Sequence, residues 1–413
     1  MRMNDEDVAM NVDVKKRPAI TSFPVKSYRE DFPILHRQVN GKPLIYFDNA
    51  ATTPVDAQVA DAMIPYITSH FGNPSSIYSY GRETRLAIEN ARKSVAKLLN
   101  AHPAEIFFTS GGTESSNTAI YAAVKDLGCR HIISSRIEHH ATLHAVEHLY
   151  HTGEAGLDYV NLLPNGHIDM EHLEQLLSES PEKCLVTLMH ANNEIGNMLD
   201  IHAVGQLCKI YNAIFHCDTV QTVGHFPMDL RNTAVHFITG AGHKFHGPKG
   251  VGLLYINENV KIKPYIHGGS QERNMRAGTE NVYGIVGFAK ALEISTANHD
   301  TESTYIKGLK VYMMEQLKKK IKGVSFNGDA LGRSLYTVLS VSLPKTEKSE
   351  MILFNLDINN ICASGGSACT SGADAGSHVI RSVNQNPNQV TVRFSFSKLN
   401  TKEEIDIVTD KIK

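Results

Sequence analysis

The stretch VHFITGAGHKFHGPKGVGLLYI (235–256) contains the pattern that decides the fold class. Two apolar runs rich in branched side chains, Val235–Thr239 and Val251–Ile256, lie on either side of a glycine-rich segment that carries Lys244. Short apolar runs bounded by glycines predict buried strands. Five similar runs come earlier in the chain: Glu105–Ser110, His131–Ser135, Leu157–Leu163, Leu185–His190 and Ala213–Asp218. Helix-length segments separate most of these runs, so the sequence predicts an α/β domain with a mostly parallel, seven-stranded sheet covered on both faces.

The pattern divides the chain into a large and a small domain. Residues 55–299 form the large α/β domain, within which 265–279 is predicted to be a long structured loop. Beyond about Asp300, an amphipathic helix over Tyr305–Ile321 is followed by short apolar strands near Leu335–Leu343, Ile361–Ala363 and Gln389–Phe396. We therefore expect a smaller α+β domain made of residues 21–54 and 300–413. Residues 1–20 are rich in charges and are predicted to be a loose N-terminal head.

Composition excludes several classes of protein. The 413 residues include 41 Lys and Arg against 43 Asp and Glu, a net charge of −2, which argues against a general affinity for nucleic acid or anionic membrane. No apolar run reaches the ~20 residues of a bilayer span. The N-terminus has neither a secretory nor a mitochondrial pattern, so a cytoplasmic location is expected. The six cysteines form no CxxC pair and the 21 histidines no HExxH, so no metal site is predicted.

Ligands of parallel sheets bind at the carboxyl ends of the strands, and chemistry-bearing residues cluster there in this sequence. After the 105–110 run, Gly112 and Thr113 begin a helical segment, which favours a phosphate but equally fits a glycine turn with an N-cap. Asp218 ends one strand, and Lys244 follows 26 residues later (244 − 218) at the end of the next. An amine, a carboxylate and a phosphate cradle are the parts that pyridoxal 5'-phosphate (PLP) requires. Each alone has a plainer explanation, because an Asp at a strand end is usually a cap and a Lys is usually solvated.

Three further residues are candidates for chemistry. His139 follows the 131–135 strand, where it could stack on a flat ring and move protons. Cys369 is surrounded by small residues from Ala363 to Gly372, which makes it either an accessible nucleophile or an inert thiol on a flexible loop. Arg393 lies in an alternating strand, where it either forms a buried ion pair or binds a substrate carboxylate.

Taken together, these segments resemble the PLP-dependent cysteine desulfurases, of the class-V aminotransferase-like fold type I. The likeness is to the branch with a mobile cysteine loop that serves iron–sulfur cluster assembly. It extends from about residue 44 to the C-terminus. The matching segments are DNAATTPVD (48–56), FGNPSS (71–76), FTSGGTESSN (108–117), EHHA (138–141), MHANNEIGN (189–197), HCDTVQTVG (216–224), GHKFHGPKGVG (242–252), HGGSQERNMRAGT (267–279), SGGSACTS (364–371) and VRFSFSKLNT (392–401).

The resemblance implies a role for each matching residue. Lys244 would bind PLP as a Schiff base, with Asp218 on the pyridine nitrogen, Gln221 on the ring oxygen and His139 stacked on the ring. The phosphate would be held by Gly112, Thr113 and His243, and by Thr279 of the neighbouring subunit, which implies a homodimer with shared active sites. Asn193 and Arg393 would bind the carboxylate of L-cysteine, Asn193 also contacting the cofactor. Cys369 would take the sulfur as a persulfide and leave L-alanine, and a sulfur-acceptor protein would then receive the sulfur.

The sequence departs from the family pattern in three places. Ala241 stands where relatives commonly have a phosphate-binding Ser. Residues 32–52 resemble the family's other branch, whose cysteine loop is shorter. The tail with which relatives dock an iron–sulfur scaffold is missing after Lys413, so the acceptor stays open. Three alternatives remain: a selenocysteine lyase or an aminotransferase on the same fold, and a partner-binding sulfur relay with a degenerate site.

Overall fold

A computed structural model describes residues 23–39, 41–347, 349–365, 376–384 and 386–413. The predicted head at 1–20 and the predicted nucleophile Cys369 lie outside these ranges. The helices are α1 (Val25–Glu30), α2 (Ala57–Thr68), α3 (Ser79–Leu98), α4 (Gly112–Lys125), α5 (His140–His151), α6 (Met170–Glu179), α7 (Ile201–Ile210), α8 (Gln271–Asn274), α9 (Val282–Lys320), α10 (Ile352–Ile358), α11 (His378–Val383) and α12 (Lys402–Ile412). The strands are β1 (Gln38–Val39), β2 (Lys42–Pro43), β3 (Ile45–Tyr46), β4 (Ile106–Thr109), β5 (His131–Ser134), β6 (Gly156–Tyr159), β7 (Cys184–Met189), β8 (Ile214–Asp218), β9 (Phe237–Ala241), β10 (Gly252–Ile256), β11 (Ser325–Phe326), β12 (Val338–Pro344), β13 (Ile361–Cys362) and β14 (Gln389–Ser395).

The large sheet confirms the predicted fold class. Its order is β4-β10-β9-β8-β7-β5-β6, and each of these seven strands overlaps one of the predicted apolar runs. Only β10 runs antiparallel to its neighbours. Strands β7, β8, β9 and β10 are buried at every position, as expected where helices cover both faces of a parallel sheet. The carboxyl ends of β8 and β9 consequently lie side by side, with Asp218 at one and Ala241 at the other.

Two smaller sheets lie beyond the large one. Strands β11, β12 and β14 form an antiparallel sheet, and the short β3 pairs in parallel with β13, which joins the N-terminal part of the chain to the C-terminal part. An isolated bridge between Asp48 and Ser395 continues this contact, so the N-terminal DNAAT segment lies against β14. No helix within the described ranges is both long and apolar enough to cross a membrane.

Helix α9 links the two hydrophobic cores. The predicted helix over 305–321 is only its second half, because the 39-residue helix begins at Val282. Phe288 and Leu292 pack in the core of the large sheet, and Leu309 and Met313 pack against the small sheet. The predicted boundary at residue 299 falls within this continuous helix, and the division into domains stays a prediction.

The glycine-rich loop at 265–279 is held by a buried carboxylate. Glu272 is 5% exposed and receives two hydrogen bonds from the Arg92 guanidinium, each of 2.8 Å, and one from the Phe108 amide at 2.9 Å. The short α8 includes Glu272 and Arg273 with φ of 43° and 56°, a conformation that side chains other than glycine adopt at a cost. A buried ion pair and a hydrogen bond to the backbone, rather than a hydrophobic period, therefore order this loop.

Candidate active site

One cavity of about 260 Å³ opens at the carboxyl ends of the central strands. Ten of the twelve predicted site residues line it: Gly112, Thr113, His139, Asn193, Asp218, Gln221, Ala241, His243, Lys244 and Arg393. These residues span 281 positions of the sequence (393 − 112) and come from both sheets. The topology thus brings together residues that the sequence analysis could only group by strand ends.

Lys244 lies in a single 3₁₀ turn, Gly242–Lys244, directly after β9. Its Nζ donates hydrogen bonds to the carbonyl oxygens of Ala50 at 2.7 Å and Ala51 at 2.9 Å. The Gln221 amide donates to the same Ala50 carbonyl at 3.1 Å. The amine therefore faces the cavity from a fixed position, held by backbone of the DNAAT segment.

Asp218 provides a buried carboxylate at the end of β8. It is 6% exposed, and its Oδ1 accepts hydrogen bonds from the Val220 amide at 2.9 Å and, weakly, from the Thr239 hydroxyl at 3.5 Å. Burial raises the pKa of Asp218, while the Val220 amide and the charge of Lys244 oppose that rise. A carboxylate that is dehydrated in this way gains from a cationic partner inside the cavity.

The start of helix α4 is suited to bind an anion. Its N-cap, Gly111, makes no side-chain capping bond, whereas Asp56 caps α2 and the His139 side chain caps α5. Helix N-termini without such a cap present backbone N–H groups and a positive dipole end, both favourable to phosphate. A Cβ at Gly112 would come within 2.6 Å of a Val220 methyl, so a larger residue there would push the helix start away from the cavity.

Two neutral imidazoles lie at the cavity wall. His139 Nδ1 accepts a hydrogen bond from the Ala141 amide at 3.1 Å, so the neutral ring carries its proton on Nε2. Burial, aided by the charge of Lys244, lowers the pKa of His139 to about 4. Burial also lowers the pKa of His243 to about 4, and its Nδ1 lies 3.2 Å from the Thr52 hydroxyl. Both rings are therefore uncharged at neutral pH.

Arg393 shows features of both of its predicted roles. Its Nη2 forms an ion pair with Asp48 at 2.6 Å, and its Nη1 donates to the Asn193 carbonyl at 3.0 Å. The residue is 1% exposed, yet it lines the cavity, and its buried Nε has no partner among the described residues. The ion pair accounts for the arginine in an apolar strand, and binding of a substrate carboxylate stays a prediction.

The other two predicted site residues are Thr279 and Cys369. Thr279 lines a separate pocket of about 170 Å³ with Ser110, Gly250 and Arg276, so its predicted contact across a dimer stays a prediction. Cys369 lies outside the described residues. Ser364, the second-last described residue before Cys369, exchanges two backbone hydrogen bonds with Arg393, at 2.7 and 3.2 Å.

Several residues that contribute to the site were not predicted from the sequence. Asp48 was quoted only as part of a matching segment, although it is the partner of Arg393. Ala50 and Ala51 act through carbonyl oxygens, for which side-chain chemistry gives no signal. Met189 lines the cavity at the end of β7 and was read only as part of a strand and of a matching segment.

The residues present fit PLP. An uncapped helix start matches the phosphate, a buried carboxylate matches the pyridine nitrogen, and an amine that faces the same cavity matches the aldehyde. In this arrangement Gly112 and Thr113 would hold the phosphate, and Asp218 and Lys244 would hold the ring.

Comparison with known proteins identifies the class. The family model for "Aminotransferase class-V" matches residues 45–408, and the chain belongs to this family. Cysteine desulfurase IscS of Dictyoglomus turgidum is 42% identical over 371 residues, covering 89% of this chain and 93% of that protein. Among class-V aminotransferases, the chain is therefore a member of the PLP-dependent cysteine desulfurases.

Solved structures agree with this assignment. A NifS-like protein has a TM-score of 0.81 at 36% identity, covering 89% of this chain and 98% of its own. The protein SspA, solved in complex with cysteine, has a TM-score of 0.74 at 30% identity, covering 86% and 100%. Both matches extend over nearly the whole neighbour, so the likeness is not confined to the large sheet.

Proposed function

We propose that this protein is a cysteine desulfurase that uses PLP to convert L-cysteine to L-alanine and forms a persulfide on Cys369. The observation that carries the proposal is the convergence of Lys244, Asp218 and the start of α4 on one cavity. A degenerate sulfur relay would not require these three groups to face the same space. The relatives named as cysteine desulfurases support the same conclusion.

The position of the chain on both sides of Cys369 supports its role as nucleophile. Ser364 is bonded to Arg393 of the cavity wall, and Cys369 follows Gly365 by four residues. An extended chain covers about 3.3–3.6 Å per residue, so four residues reach about 14 Å. Downstream, Ser377 and His378 are bonded to residues beside the same cavity. A thiol in this segment is thus within reach of a substrate bound at Lys244.

The side chains divide the work of the reaction. PLP supplies an electron sink for the substrate's α-carbon when it is bound. Arg393 and Asn193 would hold the substrate carboxylate, because Arg393 is fixed by Asp48 and aligned with Asn193. Lys244 Nζ, once released from the cofactor, would take the α-proton. The neutral His139 would stack on the ring, and its Nε2 holds a proton that the site could use.

Sulfur transfer balances without an external oxidant. The Cys369 thiolate attacks the substrate sulfur, an S–S bond forms, and the Cβ–S bond breaks with its electron pair going to carbon. That carbon is protonated, and the α-proton returns from Lys244 to give alanine. One cysteine and one enzyme thiol therefore yield one alanine and one enzyme persulfide. A reductant or a sulfur-acceptor protein is required only to clear the persulfide for another turnover.

The direct test is alanine formation. Purified protein reconstituted with PLP and supplied with L-cysteine and dithiothreitol is expected to release alanine and sulfide in equal amounts. Cys369→Ser should abolish both products while the Schiff-base absorbance remains. Full alanine release from Cys369→Ser would show that Cys369 is not the nucleophile. An aminotransferase, by contrast, would form product only when a 2-oxo acid is added.

We further propose a homodimer in which Thr279 completes the phosphate site of the partner. The pocket of Thr279 is separate from the cavity of its own chain, and apolar Phe71 and Ile77 are 78% and 90% exposed. Mixed dimers provide the test, because a Lys244→Ala chain paired with a Thr279→Ala chain would carry one intact site and one doubly altered site. Recovery of activity on mixing two impaired variants is expected, and no recovery in verified mixed dimers would contradict shared sites.

A further inference from the structure

The residues just downstream of the Cys369 segment are tied to the turn that carries Asn193. The Ser377 hydroxyl donates a hydrogen bond of 2.5 Å to Oε2 of Glu194. His378 Nε2 lies 2.9 Å from the Glu138 carbonyl oxygen, and because a carbonyl only accepts, this nitrogen is the donor. Two bonds thus attach this point of the chain to turns that present predicted site residues.

Glu194 is a rigid acceptor for this contact. It is 1% exposed, and its own amide and that of Ile195 donate to the Asn192 side chain at 2.8 and 2.9 Å. The preceding residue, Asn193, accepts the hydrogen bond from Arg393. A buried carboxylate that accepts a hydrogen bond from a hydroxyl forms a strong, charge-assisted bond, and this bond holds Ser377 in place.

We infer that Glu194 and Ser377 are positioning residues that anchor the nucleophile's chain to the substrate-binding turn. The inference rests on the proposed function, in which Cys369 attacks a substrate held by Asn193 and Arg393. Ser377 follows Cys369 by eight residues (377 − 369), so fixing Ser377 sets an upper limit on the distance between Cys369 and Glu194. Attack requires the reacting atoms to come within about 3–3.5 Å, and loss of such positioning slows a reaction without blocking binding.

A plain capping role for Ser377 predicts a different result. Ser377 is also the N-cap of α11 and accepts from the Ile380 amide at 3.0 Å. If Ser377 served only as the cap, its loss would loosen α11, and a substitution of Glu194 would not affect the reaction of the thiol. The two roles separate when Glu194 is changed, because Glu194→Gln keeps the cap and replaces a charged acceptor by a neutral, weaker one.

The test compares two reactions of the PLP-loaded full-length enzyme. The first is the single-turnover rate of persulfide formation on Cys369 from L-cysteine. The second is the exchange of the α-proton of L-alanine in deuterated water, which needs Lys244 but no thiol. Ser377→Ala is expected to slow persulfide formation about ten-fold and Glu194→Gln about three-fold, with proton exchange unchanged within two-fold. Adding Glu194→Gln to Ser377→Ala should cause no further loss, because the two residues act through one bond.

Two further variants provide controls. Ser377→Thr keeps the hydroxyl and the cap, and is expected to restore the rate. Ser382→Ala removes a hydrogen bond to the His378 carbonyl within the same helix, of 2.9 Å, without touching Glu194, and should have no effect. An unchanged persulfide rate in Ser377→Ala, or an equal fall in both reactions, would overturn the inference. Absence of any persulfide in the wild-type enzyme would instead reject the proposed function itself.

Discussion

The ion pair between Asp48 and Arg393 allows one prediction to be worked out from the structure. The two side chains are 2.6 Å apart, with Arg393 2% and Asp48 20% exposed. Removing one partner of a buried pair costs about 3–5 kcal/mol. Asp48→Asn keeps an oxygen near Oδ1, and Arg393 keeps its bond to the Asn193 carbonyl, so we expect a smaller loss of about 2 kcal/mol. If that energy orients the guanidinium toward the substrate carboxylate, kcat/KM for L-cysteine falls about 10- to 30-fold.

The assay is steady-state alanine formation, combined with a titration of PLP affinity by visible absorbance. Most of the loss is expected in KM, because Arg393 acts on the substrate carboxylate, and PLP affinity should stay unchanged. Arg333→Gln is the matched control, since it breaks an ion pair with Asp200 in which both side chains are 41% or more exposed. Such a pair contributes about 0.2–1 kcal/mol, and activity should not change. A wild-type KM in the Asp48→Asn variant would refute the proposed role of Arg393.

Three other predictions concern Ala241 and His139 of the cavity wall and the buried Glu138 beside His139. Ala241→Ser adds a hydroxyl beside the start of α4, and because one hydrogen bond contributes about 1 kcal/mol, PLP should bind about five-fold more tightly in an absorbance titration; equal or weaker binding would contradict the phosphate position. His139→Asn keeps an N-cap for α5 but removes the ring, so the unfolding midpoint should stay near wild type while PLP affinity falls about five-fold, and unaltered affinity would exclude stacking. Burial raises the pKa of Glu138 to about 8, from 4.5 in the unfolded chain. The protonated Glu138 therefore contributes stability to the folded state that is fully present below pH 4.5 and is lost as the pH rises toward 8. Glu138→Gln should therefore make the urea midpoint less dependent on pH between 5 and 8, and an unchanged pH dependence would mean that Glu138 is ionised throughout.

Much of the fold follows from local patterns. Each of the seven apolar runs became a strand of one sheet, because short branched runs between glycines and helices have few other ways to be buried. The positions of Asp218 and Lys244 at adjacent strand ends followed from the same reasoning. The start of α9 was missed, since its first half packs in one core and its second half in another, which obscures a single amphipathic period.

The parts that could not be predicted depend on contacts between distant segments. Asp48 and Arg393 are 345 residues apart, and nothing in either local sequence identifies the other as its partner. The carbonyls of Ala50 and Ala51 reach Lys244 only because the turn that follows β3 lies against β14. Ser377 and Glu194 are likewise ordinary polar residues in sequence, and only the folded chain brings them to 2.5 Å.

Mass spectrometry of the Cys369 peptide after exposure to L-cysteine is the decisive measurement for sulfur transfer to this thiol. We expect one added sulfur atom on that peptide in the PLP-loaded enzyme, formed together with one equivalent of alanine. The Lys244→Ala variant should show neither product, because the cofactor bond and the α-proton acceptor are lost together. Alanine formation with no added sulfur on Cys369, or added sulfur that persists in Lys244→Ala, would rule out Cys369 as the sulfur acceptor of a Lys244-dependent reaction.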